Sequence, residues 1–210
     1  MKTLDEKMTE GRQYRGFDTH KLETRAEDES KVVEGYATVF NTPYTLYTDG
    51  DYTVLEQIDR RAFDECDMSD VIMQYDHAGR VFARTSNATL VVTPDEYGLR
   101  IRAELGGTDI GRALYEEIQG GYTTTMSFGF VVGADERLSK EENGKTVITR
   151  TITKITKLYD VSAVSLPAND ATSISARSFG EGVIAEAEQE RFEREQRAAT
   201  IKKLKILCTM

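Results

Sequence analysis

The chain is 210 residues long and 39% hydrophobic, which is enough to bury a core and favours one folded domain with tails over two domains. Its formal net charge is −9, and its Lys and Arg residues are dispersed among more numerous acids, so a nucleic-acid partner is not expected. The two cysteines, Cys66 and Cys208, cannot form a disulfide framework and lack metal-ligand spacing, which indicates a reducing compartment. No apolar run has the length of a signal-peptide core or a membrane span, so we expect a soluble cytosolic protein.

Charged residues dominate positions 1–30, which end in the run RAEDES and have no clear apolar period. They predict a mobile arm, with the folded part beginning near Lys31. Beyond the arm, β-branched and aromatic residues crowd into short segments that are separated by turn-forming residues. This pattern predicts strands in KVVEGYATVF, YTVLEQI, VIMQY, ATLVVT and GLRIRAEL.

The segment TDIGRALYEEIQGG predicts a short helix that Thr108 or Asp109 caps and that the paired glycines end. Its apolar residues at helical spacing are Ile110, Ala113, Leu114 and Ile118. The stretches YTTTMSFGFVVG and KTVITRTITKITKLYDVSAVSLP predict a β-hairpin, because the Asn-Gly between them tolerates positive φ. Good helix formers dominate residues 179–210, which predict a helix that either docks on the body or extends into solvent.

Two histidines are present, His20 in the arm and His77 after the apolar run VIMQY. A histidine general base in the folded body must therefore be His77, although a lone histidine at a strand end is commonly only a surface side chain. In TTTMSFGF, strand alternation puts Met126 and Phe128 on one face and leaves Ser127 on a small polar face, where its hydroxyl can meet a shallow groove. A Thr-rich strand with one solvated side explains the same pattern.

A nucleophilic serine needs an imidazole to take its proton, and the imidazole needs a third group to fix its tautomer. Asp76 adjoins His77, but neighbouring strand residues point to opposite faces. Asp160 interrupts the apolar strand KLYDVSAVSLP, where an unpaired buried charge is costly, so either it has a partner such as an imidazole or Arg, or it is exposed. Glu56 in VLEQI is a weaker candidate.

Other chemistries lack the residues they need. The sequence contains no GxSxG elbow, Walker A loop, HExxH or CxxC motif, and no metal or organic cofactor is implied. A Cys66–His77 nucleophilic pair is disfavoured, because the acids of DECDMSD would raise the pKa of the thiol.

Seven ordered blocks make residues 31–178 resemble the prohead maturation proteases of tailed bacteriophages, serine peptidases that are thought to share a fold with the herpesvirus assemblins. The blocks are EGYATVFN, LEQIDRRAFDE, VIMQYDHAGR, TLVVTPDEYGLRIRAEL, IGRALYEEIQGGY, TTTMSFGF and LYDVSAVSLPAND. By resemblance, the family's histidine falls on His77, its serine on Ser127 and its acid on Asp160, where many relatives have Glu. With the elements above, the resemblance predicts an α+β, β-rich fold with a mainly antiparallel, barrel-like core and a C-terminal helical extension.

The resemblance also implies an endopeptidase that acts inside the immature capsid, in the host cytoplasm. Its expected substrates are the scaffold or the scaffold-like N-terminal segment of the major capsid protein, and the protease itself, whose arms 1–30 and 179–210 are suitable for self-cleavage because protease substrates must unfold locally. Portal or shell contacts and a homodimer are further possibilities, and the loop PANDAT is a guess for the oxyanion hole. A catalytically silent assembly protein and a general hydrolase of small esters are the alternatives.

Overall fold

The computed structural model describes residues 11–17, 23–27, 30–165 and 174–207. Within these residues the chain forms eleven strands, one 3₁₀ turn (Thr85–Asn87) and two α-helices. The strands are β1 (Gln13–Phe17), β2 (Glu23–Glu27), β3 (Ser30–Val39), β4 (Tyr44–Asp49), β5 (Tyr52–Ile58), β6 (Ile72–Tyr75), β7 (Ala78–Arg84), β8 (Leu90–Pro94), β9 (Gly98–Glu104), β10 (Thr125–Glu142) and β11 (Lys145–Val164). The helices are α1 (Asp109–Gln119) and α2 (Ile174–Leu207).

The strands form two sheets, which confirms the α+β, β-rich class. One sheet has the order β1-β10-β11-β5-β4, with β6 added to β11 and β7 added to β6, and the other has the order β2-β3-β9-β8. The two pack around a shared core, to which Phe128 contributes from the first sheet and Ile101 from the second. Among the described residues the sheets stay separate, so the expected barrel-like closure is wrong: the core is buried by stacking two sheets, and no strand pairing joins their edges.

The predicted hairpin is confirmed as the longest feature of the large sheet. β10 and β11 pair antiparallel from Glu142 opposite Lys145 down to Thr125 opposite Val164. Asn143 and Gly144 form the turn, both with positive φ, as the Asn-Gly pair predicts. On its other edge, β11 pairs in parallel first with β5 and then with β6. The long strand β11 therefore aligns three neighbours that carry side chains of interest.

Two strands lie within the segment that the sequence assigns to the arm. β1 pairs antiparallel with the first half of β10, from Gln13 opposite Phe130 to Phe17 opposite Met126. β2 pairs antiparallel with β3. The described parts of residues 1–30 thus extend both sheets.

Helix α1 begins as predicted, with the Thr108 hydroxyl accepting a hydrogen bond from the Gly111 amide at 3.1 Å. Its buried face consists of Gly111, Leu114, Tyr115 and Ile118. The apolar pattern differs from the predicted one, because Ala113 is exposed and Tyr115 is buried. Gly111 lies against the Leu105 carbonyl, where a Cβ would come within 2.2 Å of the oxygen.

Helix α2 both docks on the body and extends into solvent. Val183 and Ile184 pack in a second cluster with Leu46 and Val54. Further along the helix the side chains are exposed, with Phe192 at 57% relative exposure. Neither of the described helices has the length and apolar character needed to cross a membrane.

Candidate active site

Ser127 lies near the start of β10, where the strand alternates between the core and the opposite face. Met126 and Phe128 are fully buried in the core, as the sequence predicts, and so is Phe130. Ser127 lies directly opposite Ser162 of β11, and residues that oppose each other across a strand pair share a face. The serine hydroxyl therefore points away from the core, toward the face on which β11 carries its own polar residues.

Asp160 lies on β11, two residues before Ser162 and directly opposite Gly129. A Cβ at position 129 would lie 2.2 Å from Asp160 Oδ2 and 2.8 Å from the Tyr14 ring, so only glycine leaves room for the carboxylate. The space beside Gly129 is thus filled by Asp160 and Tyr14. Asp160 is 1% exposed, and its Oδ1 accepts a hydrogen bond from the Ser162 hydroxyl at 2.8 Å.

His77 occupies the tip of the hairpin between β6 and β7. Asp76 and His77 are the two turn residues, with φ of 48° and 57°, in the left-handed region that favours glycine. The Asp76 carboxylate accepts hydrogen bonds from the Ser165 amide at 2.8 Å and from the Ser165 hydroxyl at 2.9 Å. Asp76 therefore fixes the turn against the end of β11. Strained backbone of this kind is characteristic of functional sites.

These three elements bring together the serine, the histidine and the aspartate that the sequence singles out. His77 Nε2 is 2.6 Å from Ser127 Oγ, and His77 Nδ1 is 2.5 Å from Asp160 Oδ1. The imidazole is 13% exposed and lies against the Tyr14 ring, with centroids 4.3 Å apart. A hydroxyl, an imidazole and a buried carboxylate in this order form the hydrogen-bonded chain that activates a serine nucleophile.

The serine differs from expectation in its access to solvent. It is fully buried, because β1 lies along β10 and places Gly16 opposite it. The Ser127 hydroxyl donates a hydrogen bond to the Arg15 carbonyl at 2.8 Å. Since a hydroxyl has one proton, the Arg15 carbonyl competes for it with His77 Nε2. The face that the sequence predicts to be open is closed by the chain's own N-terminal strand.

The other candidate acids and nucleophiles do not contact His77. Glu56 is fully buried in an ion-pair cluster with Arg15 and Arg150. Burial, with a smaller contribution from the Asp67 charge, raises the pKa of the Cys66 thiol to about 11, which makes it a poor nucleophile. His20 and the PANDAT loop, the guess for the oxyanion hole, lie outside the described residues.

Two supporting residues escaped the sequence reasoning. Ser162 lies two residues after Asp160 on the same strand. Because alternate residues of a strand share a face, the strand period alone predicts that the Ser162 hydroxyl lies beside the Asp160 carboxylate. Asp76 was set aside on the assumption that it belongs to a strand. It lies in a turn instead, where its carboxylate accepts hydrogen bonds from Ser165 at the end of β11. Among the described residues, no cluster of three His, Cys, Asp or Glu side chains could hold a metal ion.

An open cleft of about 430 Å³ adjoins this hairpin. Tyr75, Ala78 and Phe82 line it from β6 and β7, and Leu114 and Glu117 line it from α1. Ala78 directly follows His77, so the cleft lies next to the His77 turn.

Comparison with known proteins gives the context for this geometry. The capsid assembly protease gp21 of bacteriophage T4 is similar, with 11% sequence identity and a TM-score of 0.35 over 72% of this chain and 98% of that chain. That similarity is too low to carry an argument about the site. No curated protein sequence matches the chain. The family model described as caudovirus prohead serine protease matches residues 20–185. Since this match extends over most of the chain, the protein belongs to the caudovirus prohead serine protease family.

Proposed function

We propose that the protein is the serine endopeptidase of prohead maturation, with Ser127 as nucleophile, His77 as general base and Asp160 as the group that orients and stabilises the imidazole. The observation that carries the proposal is the continuous hydrogen-bonded chain from Ser127 Oγ through both ring nitrogens of His77 to Asp160 Oδ1. Membership of the prohead serine protease family supports the same activity.

The proposed reaction is acyl transfer. His77 Nε2 takes the Ser127 proton as Oγ forms a bond to a peptide carbonyl carbon, and the imidazolium then protonates the amine as the carbon–nitrogen bond breaks. Water, deprotonated by His77, releases the acyl group and restores the serine. Asp160 is buried and holds Nδ1 protonated, and Ser162 fixes the orientation of the carboxylate.

The proposed substrates are the scaffold or the scaffold-like N-terminal segment of the major capsid protein, inside the prohead in the host cytoplasm. Self-cleavage in the terminal segments, 1–30 and 179–210, belongs to the same proposal. The ion pair between Arg137 and Glu186 and the docked residues Val183 and Ile184 anchor only the first part of α2. Its exposed remainder is accessible to a protease or a capsid partner.

Burial of Ser127 is the one observation that favours a catalytically silent assembly protein. Co-expression with the capsid subunit distinguishes the two functions, with processing followed by gel and by mass spectrometry. We expect Ser127→Ala and His77→Ala to lower the processing rate at least about 10³-fold. Ser139→Ala, an exposed serine of the same strand, is the matched control and should process normally. Equal processing by all four chains would exclude the triad.

A further inference from the structure

Strand β1 occupies the edge of the sheet that carries the nucleophile. In the described sheet, β10 has β11 on one side and β1 on the other, so removal of β1 would leave the backbone of residues 126–130 open on that side. Such an edge binds an extended peptide by strand addition. β1 precedes residues 20–185, the part matched by the family model, so the covering strand is a feature of this chain outside the shared region.

The Arg15 carbonyl is the one that faces the nucleophile, at 2.8 Å from Ser127 Oγ. Arg15 lies opposite Phe128, so its side chain turns to the face opposite the Ser127 hydroxyl. In a peptide bound in the same register, one residue would take the place of Arg15. Its carbonyl would lie beside Ser127, and its side chain would lie on the opposite face of β10, where the Arg15 side chain now lies. The surroundings of the Arg15 side chain therefore describe a specificity pocket.

The hydrogen-bonding groups of that pocket match the geometry of a guanidinium. Arg15 Nε donates to Glu56 Oε1 at 2.5 Å and a terminal nitrogen donates to Glu56 Oε2 at 3.1 Å, which is a two-pronged contact that lysine cannot reproduce. Arg15 is 3% exposed and Glu56 is fully buried. Phe130 lies on one side, with its ring 5.9 Å from the guanidinium carbon.

The acid of the pocket belongs to the protein body and keeps partners when β1 leaves. Glu56 on β5 also accepts a hydrogen bond from Arg150 at 2.6 Å and one from the Tyr44 hydroxyl. Arg150 in turn contacts Asp135 at 2.7 Å, and Arg137 contacts Asp135 at 3.5 Å from the solvent side. The buried carboxylate is thus held in place by the body while one of its two guanidinium partners comes from the displaceable strand.

We propose that the β10 edge is the substrate-binding strand, that Glu56 selects substrates with an arginine at the position that Arg15 now occupies, and that β1 is an internal stand-in which substrate must displace. The inference rests on the proposed function, since it names the substrate class of the same site. It predicts cleavage on the carboxyl side of arginine in extended polypeptide segments.

Peptide binding tests the pocket without requiring catalysis. The full chain with Ser127→Ala and Arg15→Ala is titrated with a fluorescent peptide of sequence GRQYRGF and with matched peptides in which lysine, citrulline or alanine replaces the second arginine. We expect the arginine peptide to bind at least about tenfold more tightly than each of the others, from the loss of charge-assisted hydrogen bonds. The same peptide should bind at least about tenfold more weakly to the chain with Arg15 intact, because β1 competes. Equal binding of all four peptides would overturn the pocket.

Cleavage then separates the two proposals. With Ser127 present, the Arg15→Ala chain should cut the arginine peptide after that residue and should react faster than the wild type with a fluorophosphonate that labels exposed, activated serines. A peptide that binds with arginine preference but is never cut contradicts the protease and leaves the pocket standing. Cutting of the arginine and alanine peptides at equal rates overturns the pocket and leaves the protease.

Glu56→Gln tests separately whether the charge of Glu56 selects arginine. It keeps the size of the side chain and removes the charge, so the preference for arginine over citrulline should fall to within about threefold. If Glu56→Gln instead lowers cleavage of every peptide by the same factor while the preference persists, Glu56 is only a structural ion pair and the assignment is wrong.

Discussion

Gly129→Ala tests whether the Asp160 carboxylate must lie where the structure has it. The added methyl would stand 2.2 Å from Asp160 Oδ2 and 2.8 Å from the Tyr14 ring, and both distances are far inside normal van der Waals contact. Tyr14 lies on the short strand β1 and can move, but Asp160 is 1% exposed on the central strand β11, so its side chain must rotate away from His77. Loss of the orienting carboxylate costs a serine protease about 10⁴-fold in kcat, or about 5 kcal/mol in the barrier.

The stability of the same variant should change less than its activity. Overpacking of a buried site costs about 1–3 kcal/mol, so the chain should remain folded with a lowered Tm. Peptide cleavage and thermal unfolding are measured on the same preparations. Gly133→Ala is the matched control, because the added methyl lies at an exposed position of the same strand, where its nearest neighbours are the Thr156 methyl at 2.7 Å and the Lys154 chain at 3.1 Å. It reports the cost of a crowded methyl on β10 away from Asp160. If Gly129→Ala cleaves within threefold of the control, the carboxylate does not need its present position.

Three further predictions concern the residues around this centre. Ser162→Ala removes the 2.8 Å hydrogen bond to Asp160 and should lower kcat about tenfold with KM unchanged, whereas Ser162→Thr should restore most of the activity. Asp76→Ala breaks the hydrogen bonds to Ser165 and should lower kcat about tenfold or more, while Asp76→Asn, which can still accept from the amide, should recover it. Burial opposes ionisation of Glu56, but the charges of Arg15 and Arg150 and the hydrogen bonds from Arg15 and Tyr44 together outweigh it, so the pKa of Glu56 lies below its ordinary value of 4.5. Its stabilising effect is therefore complete above pH 4.5 and is lost as the pH falls through the lower folded pKa, so Glu56→Gln should flatten the acid limb of a Tm-versus-pH curve, and an unchanged limb would contradict this assignment.

The sequence predicts the parts of the fold whose signals are local. Asn143-Gly144 predicts the hairpin because that pair tolerates positive φ, and the alternation of Met126 and Phe128 with Ser127 predicts which side chains enter the core. His77 is predicted as the histidine of the folded body and Asp160 as a charge in an apolar strand, and the order of the blocks assigns both to the candidate site by resemblance. The turn and the strand alternation are signals carried by a few neighbouring residues, and the resemblance is carried by the order of the blocks along the chain.

Features that depend on distant pairing could not be predicted in the same way. The polar segment QYRGF has no apolar period, and it becomes a strand because β10 offers unpaired backbone groups and Glu56 offers a partner for Arg15. Open stacking of the two sheets in place of a barrel likewise depends on which edges pair, and strand patterns do not specify edges. Tertiary contacts therefore decide both the buried state of Ser127 and the course of the arm.

In the proposed mechanism, strand β11 connects the proposed catalytic residues to the proposed arginine pocket. Its first half pairs with β5, which places Arg150 directly opposite Glu56 in the pocket. Its second half pairs with β6, which leads into the His77 turn, so Asp160 on β11 lies beside the His77 imidazole. Along its other edge runs β10, with Ser127 opposite Ser162. A strand that pairs with β10 in the register of β1 therefore has Ser127 on one face and the Glu56 carboxylate on the other. Under the proposal, docking of an arginine side chain against Glu56 fixes which substrate carbonyl lies beside Ser127.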